Sequence, residues 1–266
     1  MDTTPPKDTA RGAAVRAEGL GVEGARGWAF RHLDLAAEPG ALIAVTGPSG
    51  SGRTCALLAL TGRMRISAGH AEVAGLRLPR HMSAVRRISA LAHVPGVSEL
   101  DPALTVAEHL RERALLDRRF SGSPLTLLRP RRERAAKARA RIDAALNASG
   151  LDVEELPKGL RTSVRDLERL ETLRLSVGLA LIGRPRLLAV DDVDLKLSDA
   201  EREQAWAMLR AVAADGVTVL AVCSQAPEQA VVVSTDERPK ADDEAETATE
   251  TDKEGADDAG TEAGRA

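Results

Sequence analysis

The sequence predicts an α/β fold with a mixed β-sheet core and a helical insertion. Short apolar runs typical of buried strands alternate with segments that carry the periodicity and end signals of helices. Between residues 105 and about 184 the pattern is instead mostly helical. The predicted strands are residues 41–45, 88–94, 186–190, 217–222 and 230–234.

Capping residues mark the helix starts. A helix with an apolar face follows a glycine-rich turn and begins at Thr54. Thr105 and Glu108 form a capping box that opens a second helix, and Ser198 and Glu201 form another one downstream. Strand, turn and helix therefore follow each other in the order of a parallel or mixed sheet.

Basic residues are densest at positions 129–146, which we expect to form a strongly cationic helix. Pro130 suits its first turn and Gly150 suits its end. A solvated helix face is the default interpretation, and contact with an anionic membrane surface or with nucleic acid is the alternative. Phe120 is the only aromatic residue nearby. A base-stacking platform is therefore not indicated, and no nucleic-acid partner is expected.

Charge separates a basic body from an acidic tail. Residues 235–266 contain twelve Asp and Glu against four Lys and Arg, a net charge of −8, so residues 1–234 carry +5 of the total of −3. With almost no large apolar residue, the tail is predicted to be disordered and solubilising. We expect a flexible N-terminus at 1–12, one domain at 13–234 with a helical insertion at about 100–182, and the tail at 235–266.

Composition excludes several classes of protein. Aromatic residues make up only 2 % of the chain, so the core is expected to be aliphatic. No apolar run approaches the ~18 residues of a membrane span, and the first residues do not have the pattern of a secretory signal. Cys55 and Cys223 are far apart, which indicates neither a disulfide framework nor a zinc site. We expect a cytoplasmic protein in which both thiols are buried.

The run Gly47-Pro-Ser-Gly-Ser-Gly-Arg-Thr54 fits the phosphate-loop pattern G-x-x-x-x-G-K-[ST] except that Arg53 replaces the lysine. Glycines let backbone N–H groups turn towards phosphates, and arginine keeps the positive charge on a longer, forked side chain. A glycine-rich turn without a ligand is the alternative. The predicted nucleotide-binding residues are Gly47, Pro48, Ser49, Gly50, Ser51, Gly52, Arg53, Thr54 and Cys55, although the side chain of Cys55 is expected mainly to pack.

Two carboxylates follow the predicted strand at 186–190. In open α/β sheets ligands bind at the C-terminal ends of strands, where Asp191 is placed. A carboxylate there can hold Mg²⁺ through its water shell, and we expect the Thr54 hydroxyl to be a second Mg²⁺ ligand. The alternative is that Asp191 and Asp192 simply end a strand.

The order of these motifs resembles the ATP-binding cassette (ABC) family over residues 13–232. Besides the two phosphate-site motifs, segments 41–52, 101–106, 183–191 and 216–220 look like family segments at family spacing. The resemblance implies ATP and Mg²⁺ as ligands and an ABC-type P-loop ATPase fold.

Several positions depart from the family's pattern. Gly96 stands at the place of a glutamine that senses nucleotide and partner, and the L-S-G-G-Q signature falls on Leu167-Glu-Arg-Leu-Glu171. We read 164–182 as an amphipathic helix. Ser198 corresponds to the downstream aspartate, and as a helix N-cap it has a sufficient local explanation. Ser224 takes the place of the switch histidine.

The resemblance also assigns a catalytic glutamate position, which Asp192 fills with a shorter side chain. Asp192 is therefore the catalytic candidate, in a place where displacements of about 1 Å matter. No adenine-stacking aromatic is evident before the phosphate loop, because Trp28 and Phe30 are expected in the core. Enzymatic activity is left open by these substitutions.

The sequence favours a degenerate ATP-binding subunit of a transport system, with hydrolysis weak or lost. The alternative is a pseudo-ATPase that regulates or scaffolds without nucleotide; a working ATPase with unusual catalytic residues ranks third. The expected partner is a membrane-embedded transport protein or a competent second cassette, and a homodimer is not favoured. The expected location is the cytoplasm, peripheral to the inner face of the cell membrane.

Overall fold

The computed structural model describes residues 12–120 and 130–236, which form nine strands and six α-helices. The strands are β1 Val15–Gly24, β2 Gly27–Ala37, β3 Leu42–Thr46, β4 Ala68–Val73, β5 Leu76–Leu78, β6 Ser89–Leu91, β7 Leu187–Val190, β8 Thr218–Val222 and β9 Val231–Ser234. The helices are α1 Arg53–Leu60, α2 Met82–Ile88, α3 Val106–Phe120, α4 Arg131–Ser149, α5 Arg169–Ile182 and α6 Asp199–Ala214.

A five-stranded parallel sheet has the order β6-β7-β8-β3-β9. Every residue of β7 and β8 is buried, which is typical of parallel strands covered on both faces. The C-terminal ends of all these strands lie at one edge, and the glycine-rich turn follows β3 there. This sheet contains all five strands that the sequence predicts.

A four-stranded antiparallel sheet has the order β2-β1-β4-β5. Its strands precede or flank the first helix, and the sequence analysis assigned no strand to them. The α/β fold contains both parallel and antiparallel strands, as a mixed core predicts. The parallel strands and the antiparallel strands form two separate sheets. Aliphatic side chains of both sheets and of α1 form one continuous buried cluster.

The helical middle of the chain is confirmed. Helices α3, α4 and α5 pack around a separate cluster of buried aliphatic residues. Pro130 immediately precedes α4, and Gly150 ends that helix with a left-handed φ of 62°. The capping boxes at Thr105 and Ser198 are present, with Glu108 and Glu201 accepting from the backbone N–H groups of those residues.

The N-terminal end of the described chain is attached to the parallel sheet by Thr218. Its buried hydroxyl donates to the Ala13 carbonyl (2.7 Å) and accepts from the Ala13 and Gly40 N–H groups. Arg186 donates twice to the Gly12 carbonyl. The predicted flexible segment 1–12 lies outside the described residues except for Gly12.

The predicted tail at 235–266 also lies outside the described residues, except for its first two. Thr235 is buried, and its backbone N–H continues the pairing of β9 with β3 by donating to the Thr46 carbonyl. Assigning Thr235 to the tail is therefore wrong. Among the described helices, none is long and apolar enough to cross a membrane.

Candidate phosphate and metal site

The backbone between β3 and α1 has the geometry of a loop that binds an anion. Gly47, Gly50 and Gly52 have φ values of 145°, 83° and 83°. A Cβ on Gly52 would lie 2.3 Å from the Ala29 carbonyl oxygen, so only glycine fits there. Helix α1 has no side-chain cap and no acidic residue in its first turn. Its first N–H groups are therefore available to an external anion.

The two predicted metal ligands are in contact. The Thr54 hydroxyl donates to Asp191 Oδ2 at 2.6 Å, which joins the start of α1 to the end of β7. Burial raises the pKa of Asp191, against the effect of this hydrogen bond, and the charge of Asp192 raises it further. A carboxylate that is costly to ionise when alone favours a cation beside it.

The donor chemistry of this pair fits Mg²⁺. A hydroxyl and a carboxylate oxygen are hard ligands, and Mg²⁺ usually binds one or two protein oxygens plus waters and substrate phosphates. Among residues 12–120 and 130–236, no group of three or more His, Cys, Asp or Glu is placed to hold a metal by itself. The pair would therefore hold Mg²⁺ together with a phosphate ligand, which keeps the assignment of Thr54 and Asp191 a prediction.

Arg53 extends from the start of α1 towards the ends of two neighbouring strands. Its Nη1 donates to the Cys223 carbonyl after β8 at 3.1 Å, and its Nη2 lies 4.0 Å from Asp192 Oδ1 after β7. Only 16 % of the Arg53 side chain is exposed. The cation at the lysine position therefore already has an anionic neighbour within the chain.

Asp192 itself is held in an unusual backbone conformation. Its φ is 46°, a left-handed value that aspartate tolerates better than most residues. Its N–H donates to Asp191 Oδ1 at 3.0 Å, which fixes the Asp192 backbone against the Asp191 carboxylate. Asp192 thus stands next to the predicted metal ligands, while its catalytic role stays a prediction.

Thr235 contacts the phosphate loop and was not identified from the sequence. The hydroxyl groups of Thr235 and Ser51 are 2.6 Å apart. A Cβ at Gly47 would lie 2.6 Å from both of these oxygens, so the loop and the end of β9 are tightly fitted. The sequence gives no signal for this contact, since Thr235 lies where composition turns acidic.

His93 is a second residue that sequence reasoning missed. Its carbonyl accepts from the Asp191 N–H, and its Nε2 lies 3.2 Å from Nη1 of Arg169. Burial and the charge of Arg169 lower the pKa of His93. Arg169 Nε also donates to the Leu195 carbonyl, so it joins the start of α5 to the ends of β6 and β7. Its position at the end of a predicted strand, where ligands bind in such sheets, could have identified His93 as a residue near the site.

The segment at the signature position is the start of α5. The predicted helix over 164–182 is wrong at its beginning, because residues 164–166 form a separate 3₁₀ turn and α5 starts at Arg169. Glu168 is the N-cap, and its N–H donates to Glu171 Oε2 at 2.8 Å. The chain's own carboxylates therefore occupy this helix start.

The other three positions that depart from the family's pattern, Gly96, Ser198 and Ser224, make hydrogen bonds with nearby segments. The Gly96 N–H donates to Glu99 Oε1, and the predicted N-cap Ser198 is confirmed. Ser224 is exposed, and its N–H donates to Asp194 Oδ2 at 2.8 Å. This bond ties the segment after β7 to the segment after β8.

Two expectations about buried side chains need correction. Phe30 is buried as expected, but Trp28 is 42 % exposed because it lies near the β1–β2 turn, where the sheet is not covered. Cys223 is buried, and burial raises its pKa to about 12. Cys55 is only half-buried, since it lies in the first turn of α1 beside the loop.

The chain is similar to known ABC proteins. A family model described as ABC transporter matches residues 30–194. The Nod factor export ATP-binding protein I of Cupriavidus metallidurans is 29 % identical over 191 residues, which cover 71 % of this chain and 55 % of that protein. The daunorubicin resistance ATP-binding protein DrrA2 of Streptomyces coeruleorubidus is 30 % identical over 210 residues, covering 79 % and 58 %. The chain spans about half the length of the curated relatives it matches.

Solved structures share the fold. A dimeric ATP-binding cassette in a post-hydrolysis state, bound to ADP and phosphate, has a TM-score of 0.61 at 18 % identity, covering 80 % of this chain and 88 % of that one. A bacterial Atm1-family ABC exporter with ATP bound has a TM-score of 0.60 at 19 % identity, covering 84 % and 36 %.

Proposed function

Because the chain belongs to the ABC transporter family, we propose that it is the ATP-binding subunit of a transport system and hydrolyses ATP weakly or not at all. ATP with Mg²⁺ binds at residues 47–54 and Asp191. The observation that carries this proposal is the 2.6 Å contact between Thr54 and Asp191 beside the uncapped start of α1. This contact supports the proposal, because the loop amides proposed to bind phosphate lie beside the two oxygens proposed to bind Mg²⁺.

Each part of the site has a defined task in nucleotide binding. The loop amides and the N-terminal end of α1 bind the phosphates, and Arg53 adds positive charge. Thr54 and Asp191 would hold Mg²⁺, whose positive charge would offset that of the phosphate oxygens. Asp192 is the carboxylate in position to orient a water molecule.

Weak hydrolysis follows from the contacts of the catalytic candidates. Asp192 faces the Arg53 guanidinium, and this positive charge makes the Asp192 carboxylate a weaker acceptor of a proton. Ser224 is exposed and offers a hydroxyl where the family uses a histidine. Glu168 and Glu171 place carboxylates at the start of α5, where negative charge opposes a phosphate.

A membrane-embedded transport protein is the proposed partner. A cavity of about 420 Å³ lies between the segment after β6 and helices α3 and α5. Val97 and Leu116 line it, each more than 40 % exposed, and Leu115 next to it is 62 % exposed. Ser176 Oγ, also in the lining, is buried and has no hydrogen-bond partner in the described chain. A docking segment with apolar side chains and one polar group fits this groove, and the proposed location of the subunit at the inner face of the cell membrane follows from such a partner.

The second candidate function is a pseudo-ATPase that needs no nucleotide. It is favoured by the start of α5, which the chain's own carboxylates cap, and by the engagement of Arg53 with Cys223 and Asp192. It predicts a folded protein that binds its partner equally well with and without ATP.

Titration with a fluorescent ATP analogue distinguishes the two functions. The wild-type chain, the Arg53→Ala variant and an Arg65→Ala variant are titrated with and without Mg²⁺, with unlabelled ATP as competitor. Arg65 is exposed and lies outside the loop, so it is the matched control. Saturable, Mg²⁺-dependent binding that Arg53→Ala weakens and Arg65→Ala does not is the expected result. Absence of binding at millimolar nucleotide, by protein shown to be folded, would overturn the proposal.

A further inference from the structure

We propose that Asp192 competes with the phosphates of the nucleotide for Arg53 and thereby lowers the affinity of the site for nucleotide. The inference rests on the proposed function, because it concerns binding at the same loop. It gives Asp192 a role that is independent of any chemical step: it is the internal counter-ion that an entering phosphate displaces.

The arrangement around Arg53 is fixed at one end and exchangeable at the other. The Cys223 carbonyl that accepts from Nη1 is held in the parallel sheet, since the Cys223 N–H donates to the Val45 carbonyl. Nη2 faces Asp192 Oδ1 at 4.0 Å, which is a charge contact without a short hydrogen bond. The carboxylate contact is therefore the weaker of the two.

A phosphate group is the stronger competitor for the free face of the guanidinium. It carries more negative charge than a carboxylate and offers oxygens that match the forked N–H groups. Arg53 lies at the first residue of α1, immediately after the loop whose N–H groups are available to anions. An anion bound there approaches Nη2 while the Cys223 contact remains.

Release of Asp192 costs part of the binding energy of the nucleotide. The side chains of Arg53 and Asp192 are 16 % and 29 % exposed, so solvent screens their attraction incompletely. The Asp192 backbone is fixed next to Asp191 by its own N–H bond to Asp191 Oδ1, so the Asp192 side chain remains attached beside the site after it has lost Arg53. Removing its charge is therefore expected to tighten nucleotide binding about threefold.

A double-mutant cycle on the full chain tests this exchange, with ADP as the probe so that no hydrolysis contributes. Dissociation constants are measured at constant Mg²⁺ for wild type, Asp192→Asn, Arg53→Lys and the double variant. Lysine keeps the positive charge but has no second nitrogen to span Cys223 and Asp192. We expect Asp192→Asn to tighten ADP binding about threefold with Arg53 present and much less with Lys at that position.

Two further variants separate this effect from general changes in charge or shape. Asp192→Glu keeps the negative charge, so it should not produce the tightening expected of Asp192→Asn. Asp194→Asn removes an equal charge from a carboxylate that binds the Ser224 and Gln225 N–H groups instead of Arg53, so it should tighten binding less than Asp192→Asn. Circular dichroism and thermal unfolding verify that each variant is folded.

The possible results distinguish this inference from the proposed function. Wild-type binding of ADP combined with no tightening in Asp192→Asn, or with equal tightening in both Arg53 and Lys backgrounds, overturns the inference alone. Equal tightening by Asp194→Asn overturns the inference as well. The cause would then be the total negative charge near the site and not the contact between Asp192 and Arg53. No binding of ADP by any folded variant overturns both.

Discussion

Helices α1 and α5 begin in opposite ways. The N-cap of α1 is Gly52, and its first turn contains no acidic residue. The N-cap of α5 is Glu168, with Glu171 accepting from its N–H. The positive end of α1 is therefore open to an external anion, whereas that of α5 is already neutralised by the chain itself. The residues of the first turn thus give α1 and α5 opposite electrostatic properties at their N-terminal ends.

The largest expected effect tests whether the open start of α1 depends on its glycine. In Gly52→Ala the new Cβ would meet the Ala29 carbonyl oxygen at 2.3 Å, so backbone must move. We expect a loss of about 3 kcal/mol or more in the free energy of unfolding, with loss of nucleotide binding. Urea unfolding and ADP titration measure both.

Gly50→Ala is the matched control for that variant. Gly50 has the same φ of 83°, but a Cβ there meets nothing within 4 Å. Only the left-handed backbone cost of about 1–2 kcal/mol is expected. Equal losses in the two variants would show that conformation, and not contact with Ala29, limits this loop.

The next effect concerns the link between α1 and β7. Thr54→Val keeps the shape of the side chain but removes the donor to the buried Asp191 carboxylate. We expect a cost of about 1–2 kcal/mol in unfolding free energy and loss of the Mg²⁺ dependence of nucleotide binding. Thr172→Val, which removes a hydroxyl from the first turn of α5, serves as the control and should leave Mg²⁺ dependence unchanged. Unchanged Mg²⁺ dependence in Thr54→Val would argue against the metal assignment.

A smaller effect is expected at the start of α5. Replacing Glu168 and Glu171 by alanine removes the capping box and should cost about 0.5–1 kcal/mol in unfolding free energy. ADP binding by the isolated chain should not change, because the hydrogen bonds described for this turn run to Glu171, His93 and Leu195 and not to the phosphate loop. Ser198→Ala, which removes the cap of α6, gives a comparison for the stability loss. A change in ADP affinity would mean that the two helix starts are coupled.

The smallest effect extends the comparison to α3 and α6. Hydrogen bonds from Thr105 and Ser198 lower the pKa values of Glu108 and Glu201 below the ordinary value. A lowered pKa in the folded state stabilises above the unfolded pKa, and this contribution is lost as the pH falls through the folded value. The difference in melting temperature between wild type and a Glu108→Gln, Glu201→Gln variant should therefore shrink below about pH 4. A constant difference down to pH 3 would contradict this origin of the capping effect.

Local signals made the parallel sheet predictable, and nonlocal pairing hid the antiparallel one. Strands such as Leu42–Thr46 and Leu187–Val190 are recognisable in the sequence as continuous apolar runs, because they are buried on both faces. The pairing of β1 with β2 is irregular, with register shifts between Ala17 and Glu23 that break the alternation of apolar residues. Their identity as strands depends on neighbours in the folded chain.

The site was predictable in its loop and less so in its side-chain contacts. The spacing of Gly47 to Thr54 fixes a backbone geometry, and the motif order places Asp191 near it. No spacing rule predicts that Arg53 donates to the Cys223 carbonyl or that the Thr235 hydroxyl contacts Ser51. The two partners are about 170 or more residues apart in sequence in each case. Long, flexible side chains select partners that only the tertiary structure provides.

The position of β3 between β8 and β9 has a consequence for the synthesis of this protein on the ribosome. The phosphate loop emerges early, but the strands on both sides of β3 are among the last described segments to be made. The bond between Ala13 and Thr218 closes a separation of 205 residues. Contacts of such long range form slowly and late, so the nascent loop must wait for nearly the whole domain before its final geometry is possible.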